Sequence, residues 1–316
     1  MLEVLGLALP FFGLIFLGFG AGKIVKLPLE GLAWMNVFIV YVALPALFFR
    51  LVSQTPFDQL TNWAYFGTTT FATYIAFSLS FCVALLMTRG HIGESTVQGF
   101  VGAYANVGYM GPGLTLAALG PAAAVPTALI ICFDNILHFT MAPLLMSVTG
   151  ESRQSIAATL LLTARRVLLH PFILATIAGG LAAYFRPDLP DALDTLITLL
   201  SNAAAPAALF ALGVTVALRP LKRVPVELPI HLVMKLILHP LIVYGLLLYI
   251  GDIEPVWIYT AVLMACLPPA ANVFVIAQQY GFYIERASSA ILIGTVLSVF
   301  TVTGFLYLIR ANILPV

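Results

Sequence analysis

The sequence predicts an all-α integral membrane protein of ten spanning helices, arranged as two inverted five-helix repeats with broken, crossing fourth and ninth helices. Three observations predict it. The 316-residue chain is 61% hydrophobic and 9% charged, where an average soluble domain carries about 25% charged residues. Its apolar residues fall into runs of about 20, the length that crosses a bilayer. Landmarks of the first half also recur, in order, in the second.

In chain order the runs cover 4–22, 32–52, 63–87, 96–119, 122–147, 165–185, 193–217, 228–250, 255–280 and 286–309. The first is a spanning helix rather than a cleaved signal peptide, because Lys23 and Lys26 follow it and no basic segment leads it. The odd-numbered connections carry Lys23, Lys26, Arg89, Arg153, Arg165, Arg166, Arg219, Lys222, Arg223 and Arg286, whereas the even ones and the C-terminal end carry Arg50, Arg186 and Arg310. The positive-inside rule therefore places the odd connections in the cytoplasm and both termini on the outer side of a plasma (inner) membrane. Residues 1–148 form the first repeat, 149–164 a short cytoplasmic connection and 165–316 the second repeat.

The repeat is read from matched landmarks. Pro10-Phe11 and Gly18 match Pro171-Phe172 and Gly179, and Pro45-Ala46 matches Pro206-Ala207, all at an offset of 161 residues. Ala105-Asn106-Val107 matches Ala271-Asn272-Val273 at 166. An odd number of spans per half turns the second half upside down, the inverted topology of secondary transporters.

Two matched segments cannot be continuous helix. Asn106-Val107-Gly108-Tyr109-Met110-Gly111-Pro112-Gly113 holds three glycines and a proline, and Pro268-Pro269-Ala270-Ala271-Asn272 occupies the corresponding place in the ninth span. Broken backbone at membrane depth survives only where protein or a wet cavity satisfies it. A matched pair of breaks points to a substrate site at the midplane. Half-helix N-termini there suit an anion, and Asn106 and Asn272 offer hydrogen bonds without a charge to desolvate. The expected substrate site comprises Asn106, Gly108, Tyr109, Pro112, Pro268, Pro269 and Asn272, with Pro45. The plain alternative is two proline kinks capped by asparagine.

On Asn106-Val107-Gly108-Tyr109-Met110-Gly111 and on Leu267 to Gly281, the chain resembles the auxin efflux carrier family, which includes the plant PIN-FORMED auxin exporters and bacterial organic-acid carriers. The second segment is similar to the branch that includes malonate carriers. The resemblance implies a homodimer in which spans 1, 2, 6 and 7 form a scaffold and spans 3–5 and 8–10 a transport domain moving as an elevator. The short connection departs from the plant members, which places regulation through a long cytoplasmic loop out of reach.

Ionisable residues inside spans are functional candidates, since each is costly in lipid. Asp134, Asn135 and His138 lie near the middle of the fifth span, with Asp134 and His138 one turn apart. Such a pair suits a coupled proton, and equally a self-satisfied structural pair. His231, Lys235 and His239 share a face of the eighth span. Lys235 either attracts the anion or snorkels to the cytoplasmic interface.

Composition and motifs also exclude. A net charge of +1 gives no basic face for nucleic acid. Cys82, Cys132 and Cys266 lack metal spacing, no HExxH or Gly-x-Gly-Asp motif occurs, and the Asp188, Asp191 and Asp194 cluster stands alone and reads as a solvated turn opening the seventh helix. No metal, cofactor or enzymatic activity is expected. The implied partners are a small organic anion, lipid and a second copy. The alternative is a sodium-coupled symporter like the bile-acid carriers, whose sodium sites use Glu and Gln that this crossover lacks.

Overall fold

The computed structural model describes residues 2–25, 27–56, 62–148, 171–185, 189–218 and 224–316, with Leu161, Arg165 and Leu169. Among them the regular structure is helical: α1 (Leu2–Val25), α2 (Glu30–Ser53), α3 (Trp63–Met87), α4 (Ile92–Ala103), α5 (Gly111–Leu119), α6 (Ala124–Val148), α7 (Pro171–Phe185), α8 (Asp191–Leu218), α9 (Leu228–Ile250), α10 (Pro255–Ala265), α11 (Asn272–Tyr280) and α12 (Ile284–Arg310). Helices α2, α3, α8, α9 and α12 are each long and apolar enough to cross a membrane, as an integral membrane protein requires. Where the sequence suggests a fourth and a ninth span, the chain forms two helices each, α4 with α5 and α10 with α11.

Local chemistry sets the ends. Asn62 caps α3 by accepting from the Tyr65 amide at 3.0 Å. Pro112 and Pro255 sit in the first turns of α5 and α10, where a missing N–H costs nothing. Gly120 (φ 79°) and Gly281 (φ 78°) end α5 and α11 in backbone conformations that a Cβ disfavours. Asp191 and Asp194 stand in the first turn of α8, where their charge suits the helix N-terminus. Two long helices share a distortion: α2 widens to a π turn over Ile39–Ala43, just before Pro45, and α9 over Met234–Leu238, just before Pro240. A proline cannot donate to the carbonyl four residues back, and the ladder loosens around the defect.

The tightest helix contacts join the two halves. α1 packs on α8 so closely that a Cβ on Gly18 would lie 2.1 Å from the Phe210 carbonyl oxygen, and one on Gly213 2.0 Å from that of Ile15. α7 meets α2 in the same way, a Cβ on Gly179 falling 3.0 Å from the Phe49 carbonyl oxygen. Gly18 and Gly179, like Phe49 and Phe210, stand 161 residues apart, so one contact occurs twice with the halves exchanged. Small residues that let backbones touch are the usual means of joining helices in lipid. α1, α2, α7 and α8 thus pack among themselves, while α3 packs on α4, α6 and α9, α9 on α10, and α11 on α12.

Candidate functional site

The two breaks lie against each other. After α4 the chain extends through Tyr104, and Ala105 forms an isolated antiparallel bridge with Pro269. The Asn106 amide donates to the Pro268 carbonyl and the Ala270 amide to the Tyr104 carbonyl, both at 2.9 Å. In this register Ala105 and Pro269 face each other as the pair that exchanges no hydrogen bond, so the proline needs no N–H. Neighbouring helices clasp the bridge: a Cβ on Gly111 would lie 2.6 Å from the Met264 sulfur, and one on Gly294 of α12 2.6 Å from Pro269 Cδ. Pro112, Pro268 and Pro269 are buried here, Gly108 and Tyr109 half-buried. Pro45 is half-buried on α2, beside the π turn rather than in the bridge.

The matched asparagines differ. Asn106 is buried (2% exposed), its carbonyl starts the turn into α5 by accepting from Met110 at 3.1 Å, and its side-chain Nδ2 has no hydrogen-bond partner. Asn272 is exposed at the start of α11, and its Nδ2 donates to the Tyr104 hydroxyl at 3.0 Å. α5 is largely buried and touches α1 and α8, Gly113 facing Phe11 and Ala205. α11 exposes Asn272, Val275, Gln278 and Gln279 along one side.

A polar cluster lies behind the bridge. Lys235 is fully buried, and its Nζ donates to the Ala265 carbonyl and lies 3.2 Å from His239 Nδ1. It does not snorkel. The reason is local: Pro269 occupies the position whose N–H would satisfy the Ala265 carbonyl at the end of α10, and the lysine supplies that bond. His239 Nε2 lies 3.2 Å from Thr73 Oγ1 on α3. The Asp134 side chain, 5% exposed, lies with Thr73 and His239 around one small cavity. A cavity of about 20 Å³, room for one water, is lined by Thr69, Thr73, Ala105, Val107, Asp134, His239 and Ala265. Asp134 therefore faces α3 and α9. The side chains of Asn135 and His138 lie outside the described residues.

Towards the other end of α9, His231 is buried between Ser80 (Nδ1 to Oγ, 2.7 Å) and Gln98 (Nε2 to Oε1, 2.9 Å). One turn earlier Glu227 accepts from Tyr283 at 3.0 Å and pairs with Arg286 at 3.3 Å. A larger cavity, about 570 Å³, opens between the end of α2, at Leu51 and Gln54, and the ends of α5, α6 and α10, at Leu116, Val125 and Trp257. Thr69, Thr73, Tyr104, Ser80 and Gln98 are site neighbours that sequence reasoning missed. Hydroxyls in an apolar helix usually bond back to their own backbone, as Thr69 and Thr73 also do, and only the packing shows the second partner of Thr73, His239.

Comparison with known proteins gives this geometry its context. A family model described as "Membrane transport protein" matches residues 4–306. A protein of Rhizobium meliloti (strain 1021), described as "Putative malonate transporter", is 56% identical over 317 residues, covering 100% of this chain and 98% of the relative. The chain belongs to the membrane transport protein family, which is the auxin efflux carrier family that its motifs resemble.

Proposed function

We propose that this member of the family is a secondary carrier for small organic anions, dicarboxylates of the malonate type, with the paired breaks as its substrate site. One observation carries the site: the buried Asn106 Nδ2 without a partner, at the entry to a nine-residue half-helix. A buried donor left unpaired costs about 1–3 kcal/mol. A substrate carboxylate supplies the missing acceptor, and the N-termini of α5 and α11 add N–H groups and the positive ends of helix dipoles. The name of the Rhizobium meliloti relative supports malonate as the first substrate to try.

Motion follows from the packing. The glycine-joined α1, α2, α7 and α8 form the scaffold, and the remaining helices carry the bridge as an elevator-like transport domain in a ten-span inverted repeat. The halves face opposite sides, both termini lie outside, and two copies associate through the scaffold. Asp134, Thr73, His239 and Lys235 support the bridge and carry the coupling charge. Alternating access around a midplane site is what matched broken helices serve in inverted repeats.

The test is uptake of radiolabelled malonate into proteoliposomes holding the purified chain, with an imposed pH gradient, with a sodium gradient and with neither. Saturable uptake that unlabelled malonate competes away, and that Asn106→Ala weakens, is expected. Absence of saturable uptake of malonate and of other small dicarboxylates overturns the reading.

A further inference from the structure

Asn106 and Asn272 are held in place by different means. Asn106 is enclosed, whereas Asn272 stands exposed at the start of α11. The amide torsion of an asparagine has broad preferences, so an exposed one turns easily unless a partner fixes it. The partner comes from the other half of the chain: Asn272 Nδ2 donates to the Tyr104 hydroxyl at 3.0 Å. Tyr104 can hold it because Tyr104 is itself fixed. It is 3% exposed, its ring stands edge-on to Phe100 with centroids 6.4 Å apart, and its carbonyl accepts from the Ala270 amide at 2.9 Å in the bridge. At the 166-residue offset that matches Asn106 with Asn272, Tyr104 matches Ala270. Alanine has no side-chain group to offer the first asparagine, so the tie runs one way, from the first half to the second. An asparagine amide nitrogen carries two hydrogens. With one given to Tyr104, the amide plane of Asn272 is set and the second hydrogen has one direction instead of many. A donor fixed before its ligand arrives binds more tightly than one that must be ordered on binding.

We infer that Tyr104 is a positioning residue of the substrate site, whose hydroxyl aims the second Nδ2 hydrogen of Asn272 at a carboxylate of the substrate. The inference rests on the carrier reading of the paired breaks. It gives the two asparagines separate supports: Asn106 depends on its enclosure, and Asn272 depends on Tyr104. Removing the hydroxyl therefore weakens substrate binding through Asn272 alone, without Tyr104 touching the substrate.

The experiment is a double-mutant cycle read by titration calorimetry of malonate into the purified full chain. Tyr104→Phe, which keeps the ring, should weaken binding about two- to tenfold, the range of one hydrogen bond. Asn272→Ala should weaken it at least as much. In the Asn272→Ala background Tyr104→Phe should change nothing further, whereas in the Asn106→Ala background it should still weaken binding, since only groups that act through one another fail to add. A purely structural phenol would weaken binding in both backgrounds alike. That result overturns the inference, as does unchanged affinity in Tyr104→Phe. Asn272→Gln supplies an arm that does not depend on the folding of Tyr104→Phe. Its amide keeps both hydrogens but sits one carbon further out, off the Tyr104 hydroxyl, so binding should fall as in Asn272→Ala; binding as tight as in wild type overturns the inference. Should wild type bind neither malonate nor another small dicarboxylate, the carrier reading falls and this inference with it. Binding by wild type with additive losses in the Tyr104 and Asn272 variants overturns the inference alone.

Discussion

Half-helices α5 and α11 carry the same landmark, Ala-Asn-Val, 166 residues apart, yet they sit in unlike surroundings. α5 is buried against α1 and α8, with Asn106 enclosed and its Nδ2 unpaired; α11 shows a side of Asn272, Val275 and two glutamines, with Asn272 already bonded to Tyr104. The small cavity beside Asp134 touches the first break at Ala105 and Val107, and none of its lining residues belongs to α11. Sequence equivalence without environmental equivalence is what a carrier needs if its two halves take turns against the scaffold. On the proposed carrier reading, the difference belongs to one state and the matched landmarks to the chain.

The comparison breaks first, and most visibly, at the buried charges. Asp134→Ala removes a buried carboxyl beside Thr73 and His239 and leaves the buried Lys235 ammonium less compensated, which should cost more than about 1 kcal/mol; Gln278→Ala on the exposed side of α11 should stay within about 0.5 kcal/mol. Adding Lys235→Met to Asp134→Ala should restore much of the stability, since the uncompensated charge goes with it. Thermal melts of the four proteins check this, and equal losses from Asp134→Ala and Gln278→Ala would remove the contrast.

A smaller effect sharpens it. Gly113 and Gln279 are equivalent positions at the 166-residue offset. A Cβ on Gly113 would lie 2.8 Å from the Phe11 ring and 3.3 Å from Ala205 Cβ. Gly113→Val should therefore lose about 1–3 kcal/mol through overpacking, and Gln279→Val close to nothing in this state. If Gln279→Val is the more damaging in melts, α11 rather than α5 is the docked half-helix in solution.

The smallest effect is the most informative about function. Without substrate, Asn106→Ala should leave stability unchanged or slightly raised, because it deletes an unpaired donor; Asn272→Ala should lose about 1 kcal/mol with its bond to Tyr104. With malonate present, titration calorimetry should show affinity falling by about 1–3 kcal/mol in Asn106→Ala. An unaltered affinity in that variant moves the substrate site away from the bridge.

What the sequence made legible was whatever backbone chemistry dictates. Pro112 and Pro268-Pro269 announce breaks because a missing N–H cannot be repaired within a helix, and Gly18 and Gly179 are visible as a matched pair before their contacts are known. Trp63–Met87 and Leu228–Ile250 have the limits that apolarity suggests. The π turns before Pro45 and Pro240 were not legible, since a proline signals a defect but not its form. Nor was the fate of Lys235. Its depth in the helix favoured snorkelling, and only the position of Pro269, in the bridge that follows α10, explains why it stays inside. Asp134 was singled out for its charge, but its place beside Thr73 and His239 depends on which helices meet.

The glycine contacts between the halves also set a timetable. Gly18 of α1 rests on the carbonyl of Phe210, a residue made 192 positions later. At about 5–20 residues per second of synthesis, the first helix waits roughly 10–40 s for its partner. Through that interval its small-residue groove lies open to lipid or to whatever else is nearby, and the contact that joins the halves cannot close until two thirds of the chain is made. The steps most exposed to error in making this protein therefore fall at the join between its two halves.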